Sequence, residues 1–312
     1  MKKKLALFII ATFLLALFAS CGFAAEARKR VAVSLPPANN AWQARLLDDV
    51  NDEAAKYPEF EFTVKNAVDD NDQINQLNIF RNEDYDLIMV LPGDGTLLTS
   101  TCVDIYNSSI PTVILDRAIE SDQYTAFVAG DNYGGGVNAA RFLAGLLDGK
   151  GDIAVLRSYA GIPIDIARYT GFVDTITAEF PEMKIIVEGD GEFNREAGLA
   201  AMTNILPGYP HIDAVYSQDD ETALGALVAI ENARRDDIRF ITGFGGTLPT
   251  YERFKANDPV YKASMSYFPS QGRDGVRTCV AILRGEDVPK DYIIPSVVVT
   301  SENVDEFIPE AY

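Results

Sequence analysis

Histidine is almost absent from this chain of 312 residues, in which His211 is the only one. His211 stands between Pro210 and Ile212, with no base–nucleophile pair near it. A histidine-based catalytic triad and a multi-histidine metal site are therefore excluded. A P-loop and a dinucleotide-binding glycine motif are also missing. These absences argue against most zinc enzymes and serine hydrolases, and we expect neither a cofactor nor a metal.

Basic residues are scarce too. The chain has 27 lysines and arginines against 46 aspartates and glutamates, which gives a formal net charge of −19. Such a protein is a poor partner for nucleic acid or for an anionic membrane surface, and a strongly anionic ligand would need a local basic pocket. Apolar residues make up 47% of the chain, which supports a large core and excludes a disordered chain.

The N-terminus concentrates positive charge and then apolar residues. Lys2–Lys4 precede the apolar run Leu5–Phe18, and small residues lead to Cys21. This pattern indicates a secretory signal peptide, because the run is shorter than the roughly 20 residues of a membrane span. Cys21 stands where a bacterial lipoprotein is cleaved and lipidated. We therefore expect export to the periplasm or cell surface, with membrane contact only through a lipid anchor. Cleavage after Ala24, giving a freely secreted protein, is the alternative.

Cysteine is rare beyond this leader. Cys102 and Cys279 both lie in segments with a helical pattern. Two cysteines in an exported protein could form a disulfide. Two buried free thiols fit the sequence equally well, so the pairing stays open.

Short apolar segments alternate with helix-length segments along the chain. The predicted strands are 31–35, 61–66, 87–91, 112–115, 126–129, 152–156, 184–188, 214–217, 239–242, 260–265 and 296–299. This alternation predicts parallel sheets with helices on both faces. Two runs of about five units predict two doubly wound α/β domains, with the first boundary near residues 130–132. The last units are too many for the second domain, so we expect the chain to cross back.

Open α/β sheets bind ligands at the carboxyl ends of their strands, where this sequence places aromatic, acidic, amide and arginine side chains. Aromatic rings stack on the C–H face of a sugar, and charged groups form strong hydrogen bonds to hydroxyls. The set predicts a small polyhydroxylated ligand, although any single Asp or Asn could instead cap a helix. The candidates are Asn40, Trp42, Asp116, Arg117, Asp165, Arg168, Phe193, Asp219 and Phe244.

Five motifs follow one another in an order and spacing that are specific together. They are Ile110–Arg117, Gly130–Gly136, Ala167–Phe172, Asp190–Arg195 and Gln218–Leu227. The sequence thereby resembles the periplasmic sugar-binding proteins of the ribose-binding type, which are type I solute-binding proteins of ABC importers in the LacI-like superfamily. The resemblance implies two doubly wound parallel-sheet lobes joined by a three-strand hinge. It divides them into residues 29–130 with 268–293, and residues 131–267 with 294–312.

The resemblance also implies a function. The protein would capture a neutral monosaccharide or polyol between its lobes, close around it, and deliver it to the membrane subunits of an ABC importer. The nine candidates above would line the pocket, and Tyr267 would join them at a hinge crossing. Trp42 and Phe193 would be the stacking faces, and no residue would be catalytic.

Four positions depart from the family pattern. Gly245 replaces a ligand-binding carboxylate, Asp219 replaces an amide, Tyr267 replaces an amide, and Gln43 replaces a second aromatic ring. A buried polar set strongly rejects a ligand that leaves it unpaired. We therefore do not expect ribose to be the ligand.

The same residues also fit other functions. The rings of Trp42 and Tyr267 also fit a nucleoside or a furanose signal. A sensor that presents its ligand to a chemoreceptor or a sensor kinase would use the same pocket. Paired carboxylates could cleave a glycoside, but the residues that would do so are needed for binding. A repressor core is excluded because a basic DNA-binding headpiece is missing.

Overall fold

The computed structural model describes residues 28–312. The predicted signal peptide, Cys21 and Ala24 lie outside the described residues. No helix within residues 28–312 is long and apolar enough to cross a membrane.

The first part of the chain alternates strand and helix. Its elements are β1 (Lys29–Leu35), α1 (Ala41–Ala54), β2 (Phe60–Asn66), α2 (Asp70–Asn82), β3 (Leu87–Val90), α3 (Gly95–Asn107), β4 (Thr112–Leu115) and β5 (Ala126–Gly130). β3 and β4 are buried along their whole length, as expected for parallel strands covered on both faces. The predicted strands of this half are confirmed.

The next part repeats the pattern. Its elements are α4 (Asn132–Leu146), β6 (Lys150–Arg157), α5 (Pro163–Glu179), β7 (Glu182–Asp190), α6 (Arg195–Ile205), β8 (Ala214–Ser217), α7 (Asp220–Ala233), β9 (Phe240–Gly245), α8 (Leu248–Lys255) and β10 (Tyr261–Ser266). The short helix α8, which contains Pro249, had not been predicted.

The chain then returns to the first sheet and ends on the second. It forms α9 (Gln271–Arg284), β11 (Asp291–Ile294), β12 (Val298–Val299), α10 (Val304–Phe307) and a 3-10 turn (Ile308–Glu310). β11 had not been predicted. It pairs in parallel with β5, whereas β12 pairs antiparallel with β10.

The strands form two six-stranded sheets. The first has the order β11-β5-β4-β3-β1-β2 and the second β12-β10-β9-β8-β6-β7. We call the two sheets, with the helices that cover them, the first and the second lobe. The chain passes between them after β5, after β10 and after β11, so the predicted return of the chain is confirmed. The residue limits predicted for the lobes stay a prediction.

Close helix packing in the second lobe fixes the position of Arg168. A Cβ on Gly136 of α4 would collide with the carbonyl of Arg168 in α5, and a Cβ on Gly171 of α5 would collide with the carbonyl of Tyr133. Because both positions are glycine, the two helix backbones approach closely. The close packing of α4 against α5 therefore fixes the position of Arg168 relative to the second sheet.

The two described cysteines are buried in separate clusters and do not pair with each other. Cys102 packs among aliphatic residues of α2 and β3, and Cys279 packs between α9 and the first sheet. Burial raises the pKa of the Cys102 thiol to about 12 and that of Cys279 further still. Both thiols are therefore protonated and unreactive in the folded protein.

Candidate ligand-binding cleft

Tyr267, directly after β10, joins the two lobes where the chain crosses. Its hydroxyl donates to Oδ1 of Asp116 at the end of β4, with 2.5 Å between the oxygens. The amide of Asn132 donates to the same hydroxyl over 3.3 Å. A side chain on Gly130 would collide with the Tyr267 ring, so this glycine makes room for it. Burial, and next the Asp116 charge, raise the pKa of Tyr267, which keeps its hydroxyl protonated.

Asp116 takes part in a second inter-element contact. The amide of Gln271, at the start of α9, donates to the same Oδ1 over 3.1 Å. The other oxygen, Oδ2, lies 3.8 Å from Nε of Arg117 and accepts no hydrogen bond from residues 28–312. Asp116 also adopts a left-handed backbone conformation, with φ of 64°. Such a conformation is unfavourable for a non-glycine residue and recurs at ligand sites.

Arg168 lies between an amide, a carbonyl and two rings. Nε donates to Oδ1 of Asn132 over 2.9 Å, and one terminal nitrogen donates to the carbonyl of Gln218 over 2.6 Å. The guanidinium carbon stands 3.8 Å from the centre of the Phe244 ring and 4.8 Å from that of Tyr267. These contacts fix the plane of the guanidinium and leave its second terminal nitrogen without a hydrogen bond inside the described chain.

Aromatic rings surround these polar groups. Trp42 stacks on Tyr267 with centroids 6.0 Å apart, and its indole N–H donates to the Tyr267 carbonyl over 3.0 Å. Phe193 stands on the other side, its ring centre 6.0 Å from the guanidinium carbon of Arg168. Phe193 has a positive φ of 53° and meets the ring of Tyr159 edge-on. Trp42 and Phe193 are half-buried, as ring faces for a ligand must be.

Asn40 and Asp219 each cap a helix. Oδ1 of Asn40 accepts from the amide of Gln43 in α1, and Oδ1 of Asp219 accepts from the amide of Thr222 in α7. The alternative reading as caps is therefore correct for both. Each keeps a second polar atom, Nδ2 of Asn40 and Oδ2 of Asp219, that bonds to nothing in residues 28–312. Capping and ligand contact can coexist in one side chain.

Burial makes Asp219 unusual. It raises the pKa of Asp219 to about 7, and the charges of Asp220 and Glu221 add to the effect, while the Thr222 amide and Arg168 oppose it. The side chain is nevertheless partly exposed. Asp219 thus titrates near neutral pH at the carboxyl end of β8.

Arg117 is held by the neighbouring loop. It donates to the carbonyl of Gly93 over 2.5 Å. The buried amide of Gln73 fixes that loop, since its Oε1 accepts from the Gly93 amide and its Nε2 donates to the Leu91 carbonyl. Arg117 is half-exposed and faces Asp116.

Asp165 differs from the other candidates because its carboxylate is paired within its own lobe. Its side chain is fully buried, and both carboxylate oxygens accept from Arg157, over 2.9 and 2.6 Å. The amide of Gly161 donates to Oδ2 as well. Arg157 thus compensates the charge of this carboxylate inside the second lobe, and its contact with a ligand stays a prediction.

Three supporting residues are not among the candidates chosen from the sequence. Asn132 connects Arg168 with Tyr267, Gln271 connects Asp116 with the Gly130 amide, and Gln218 accepts from Arg168 through its carbonyl. Asn132 and Gln218 are among the polar residues that follow strands, but neither was chosen as a ligand contact. Gln271 begins a helix, and no local signal marks it.

The described residues contain no group of three or more His, Cys, Asp or Glu side chains that could hold a metal ion. What converges instead is a carboxylate, an arginine and aromatic rings from two doubly wound lobes. The chain also matches the model of the periplasmic binding protein domain over residues 31–287. It belongs to this family.

Named relatives agree with that family. The ribose import binding protein of Escherichia coli K12 is 27% identical over 96% of this chain and 99% of its own length. A solved ABC transporter solute-binding protein of Bacillus halodurans C-125, with bound myo-inositol, is 31% identical with a TM-score of 0.82, over 91% of this chain and 98% of that chain. The fructose-binding periplasmic domain of a hybrid two-component system is 28% identical with a TM-score of 0.79, over 89% of this chain and 94% of that chain.

Proposed function

We propose that this protein captures a neutral monosaccharide or polyol between its lobes and delivers it to an ABC importer. The observation that carries the proposal is the contact of Tyr267 with Asp116, around which Arg168, Trp42 and Phe244 gather. Groups from both lobes meet there with unused hydrogen-bonding capacity and ring faces. A polyhydroxylated ligand matches this mixture of charge and ring.

Each group has a role in this proposal. Oδ2 of Asp116 and Oδ2 of Asp219 accept hydrogen bonds from ligand hydroxyls. Arg117 and Arg168 donate to ligand oxygens. Trp42 and Phe193 cover the C–H faces, Phe244 supports Arg168 from below, and Asn40 contributes its Nδ2.

The lobes must separate before a ligand can enter. Asp116, Arg168, Phe244 and Tyr267 are each at most 6% exposed, so in the described conformation they are shielded from solvent. Binding therefore depends on the equilibrium between separated and closed lobes, and apparent affinity falls with the fraction of competent protein. Closure excludes water and strengthens every polar contact in the site.

A cyclic polyol is the first ligand to test. The relative with bound myo-inositol shares 31% identity over nearly its whole length. Ribose is not expected, because Asp219, Gly245 and Tyr267 change the polar set.

Two further assignments belong to this proposal. The segment that precedes Cys21 acts as a signal peptide, and Cys21 carries the lipid anchor after cleavage, so that the protein is held in the periplasm or on the cell surface. A sensory role is the second candidate, and the similarity to a periplasmic domain of a hybrid two-component system favours it.

A thermal-shift screen tests the binding proposal. Residues 26–312 are unfolded and refolded to remove any carried ligand, then screened against pentoses, hexoses, inositols, linear polyols and nucleosides. A ligand that binds only the folded state adds RT ln(1 + [L]/Kd), about 4 kcal/mol at a thousandfold excess. One strong hit among neutral polyols supports the proposal. A hit only among nucleosides replaces it with nucleoside binding, and no hit at all refutes it.

A further inference from the structure

The end of β9 has no room for a side chain at position 245. Gly245 has φ of 136°, a conformation that other residues rarely adopt, and a Cβ built there would lie 2.6 Å from the hydroxyl oxygen of Tyr312. The phenol of Tyr312, 67 residues further along the sequence, therefore fills the space beside this strand end. Gly245 is also one of the four positions at which the sequence departs from the family pattern.

The backbone of Tyr312 is held against the same loop. Its carbonyl accepts from the amide of Leu248 over 2.9 Å, and its amide donates to the carbonyl of Gly246 over 3.4 Å. The preceding Ala311 is buried in the core of the second lobe. The ring thus projects from an anchored segment and not from a freely moving tail.

The Tyr312 hydroxyl has charged neighbours but no hydrogen-bond partner in the described part of the chain. Burial, followed by the charges of Asp219 and Asp220, raises the pKa of this hydroxyl well above 10, and the charge of Arg168 opposes the rise. The hydroxyl therefore stays protonated. Among residues 28–312 nothing accepts its proton. Asp220 does not accept from Tyr312, because its two oxygens already accept hydrogen bonds from Tyr261, Ser264 and the amides of Gly246 and Thr247.

We propose that Tyr312 is a ligand-contacting residue that helps to set specificity: its hydroxyl donates to an oxygen of the bound polyol beside Asp219. The inference rests on the proposed function, since it assigns a further contact in the same cleft. A neutral phenol can donate to a hydroxyl or ring oxygen and accept from a hydroxyl. In this proposal, Tyr312 and Asp219 of the second lobe both form hydrogen bonds to the same end of the ligand.

The test compares Tyr312→Phe, which removes only the hydroxyl, with wild type by titration calorimetry. The probes are myo-inositol, D-ribose and D-fructose, followed by the monodeoxy analogues of whichever binds. Tyr251→Phe is the matched control, because the Tyr251 hydroxyl lies near the same loop, is buried and has no hydrogen-bond partner within residues 28–312. Melting temperatures of both variants check that the fold is kept.

We expect Tyr312→Phe to weaken binding of the best probe by about 5- to 100-fold, the range for leaving one buried partner unsatisfied. Tyr251→Phe should bind as wild type does. One monodeoxy analogue should lose affinity for wild type but not for Tyr312→Phe, which a purely structural role would not produce. Equal affinities of Tyr312→Phe and wild type, with the fold intact, overturn the inference and leave the proposed function standing. If wild type binds none of these probes and no neutral sugar or polyol of the thermal-shift screen, both the inference and the proposed function fall.

Discussion

Tyr267 and Asp116 connect the two lobes by a direct hydrogen bond of 2.5 Å from phenol to carboxylate. The two residues are separated by 151 positions in the sequence, and they meet because β4 and β10 end at the same cleft. The bond occupies one oxygen of Asp116 and leaves the other available. The same side chain can therefore serve closure and ligand capture.

Asp116→Asn should weaken ligand binding by about 2 kcal/mol or more, since it removes the charge that strengthens hydrogen bonds from ligand hydroxyls. Titration calorimetry with the best hit of the screen measures the loss. Asp104→Asn is the control, because Asp104 forms an exposed ion pair with Arg81 on the outer helices. Unchanged affinity in Asp116→Asn would remove Asp116 from the site.

Tyr267→Phe should lower the free energy of unfolding by about 1–3 kcal/mol, because the buried carboxylate of Asp116 loses one of its two hydrogen-bond donors and keeps only Gln271. Urea denaturation at pH 7 measures the change. Tyr124→Phe, which removes an exposed bond to Asp291, should cost about 1 kcal/mol or less. Equal losses in the two variants would contradict a special role for the Tyr267 hydroxyl.

A second set of contacts between the lobes lies at the C-terminal segment. Arg45 of α1 donates to the carbonyls of Pro309 and Ala311, and Arg273 of α9 pairs with Glu310 over 2.5 Å. Because these contacts join the two lobes, Glu310→Gln should shift the equilibrium towards the separated form. We expect a larger radius of gyration in solution scattering without ligand, and an affinity reduced several-fold.

The control for Glu310→Gln is Glu59→Gln. Glu59 also forms a 2.5 Å pair with an arginine, Arg284, but within the first lobe. Glu59→Gln should change neither the radius of gyration nor the affinity. A change of the same size in both variants would show that loss of charge, and not of the inter-lobe pair, is responsible.

Asp219 should make stability depend on pH. Burial raises its pKa from 3.8 to about 7, so between these values the folded state keeps a proton that the unfolded chain has released. The resulting stabilisation is complete below pH 3.8 and is lost as the pH rises to about 7. Asp219→Asn keeps the cap and should exceed wild type in stability at pH 8, by on the order of 1 kcal/mol or more. The advantage should vanish near pH 3.5.

Denaturation at the two pH values checks this, with Asp94→Asn as the matched control. Asp94 caps α3 through the same bond, from its Oδ1 to the Leu97 amide. An effect of Asp219→Asn that does not change between pH 3.5 and pH 8 would contradict the raised pKa.

Cys102 and Cys279 should resist a thiol reagent in the native protein, because both are buried and protonated. In residues 26–312, both should react once guanidinium unfolds the chain. Labelling followed by mass measurement counts them. Reaction of only one or neither after unfolding without reductant would indicate a disulfide or another modification.

Much of this architecture could be predicted from the sequence because buried parallel strands leave a strong apolar pattern. β11 was missed because Asp291–Ile294 is mostly exposed and lacks that pattern. Asp116 and Arg168 were selected by their position after strands. Asp165 was chosen by its position at the start of the helix after β6 and by the family resemblance, and neither signal reveals that Arg157 binds it.

Tyr312 shows more clearly what could not be predicted from the sequence. Its place beside Gly245 depends on how the last segment folds back over α8, and no local pattern encodes that contact. Tyr267 was found only through the family resemblance. Contacts between distant segments need the three-dimensional fold, whereas strand ends can be read locally.

Titration calorimetry of the refolded protein with myo-inositol and the other neutral polyols, comparing wild type with Arg168→Met, tests the central claim most directly. The account predicts one polyol molecule bound per chain at micromolar or lower Kd. Arg168→Met should lose that binding by a factor of at least about 30, while remaining folded. The account is contradicted if no neutral polyol binds wild type, or if Arg168→Met binds as tightly.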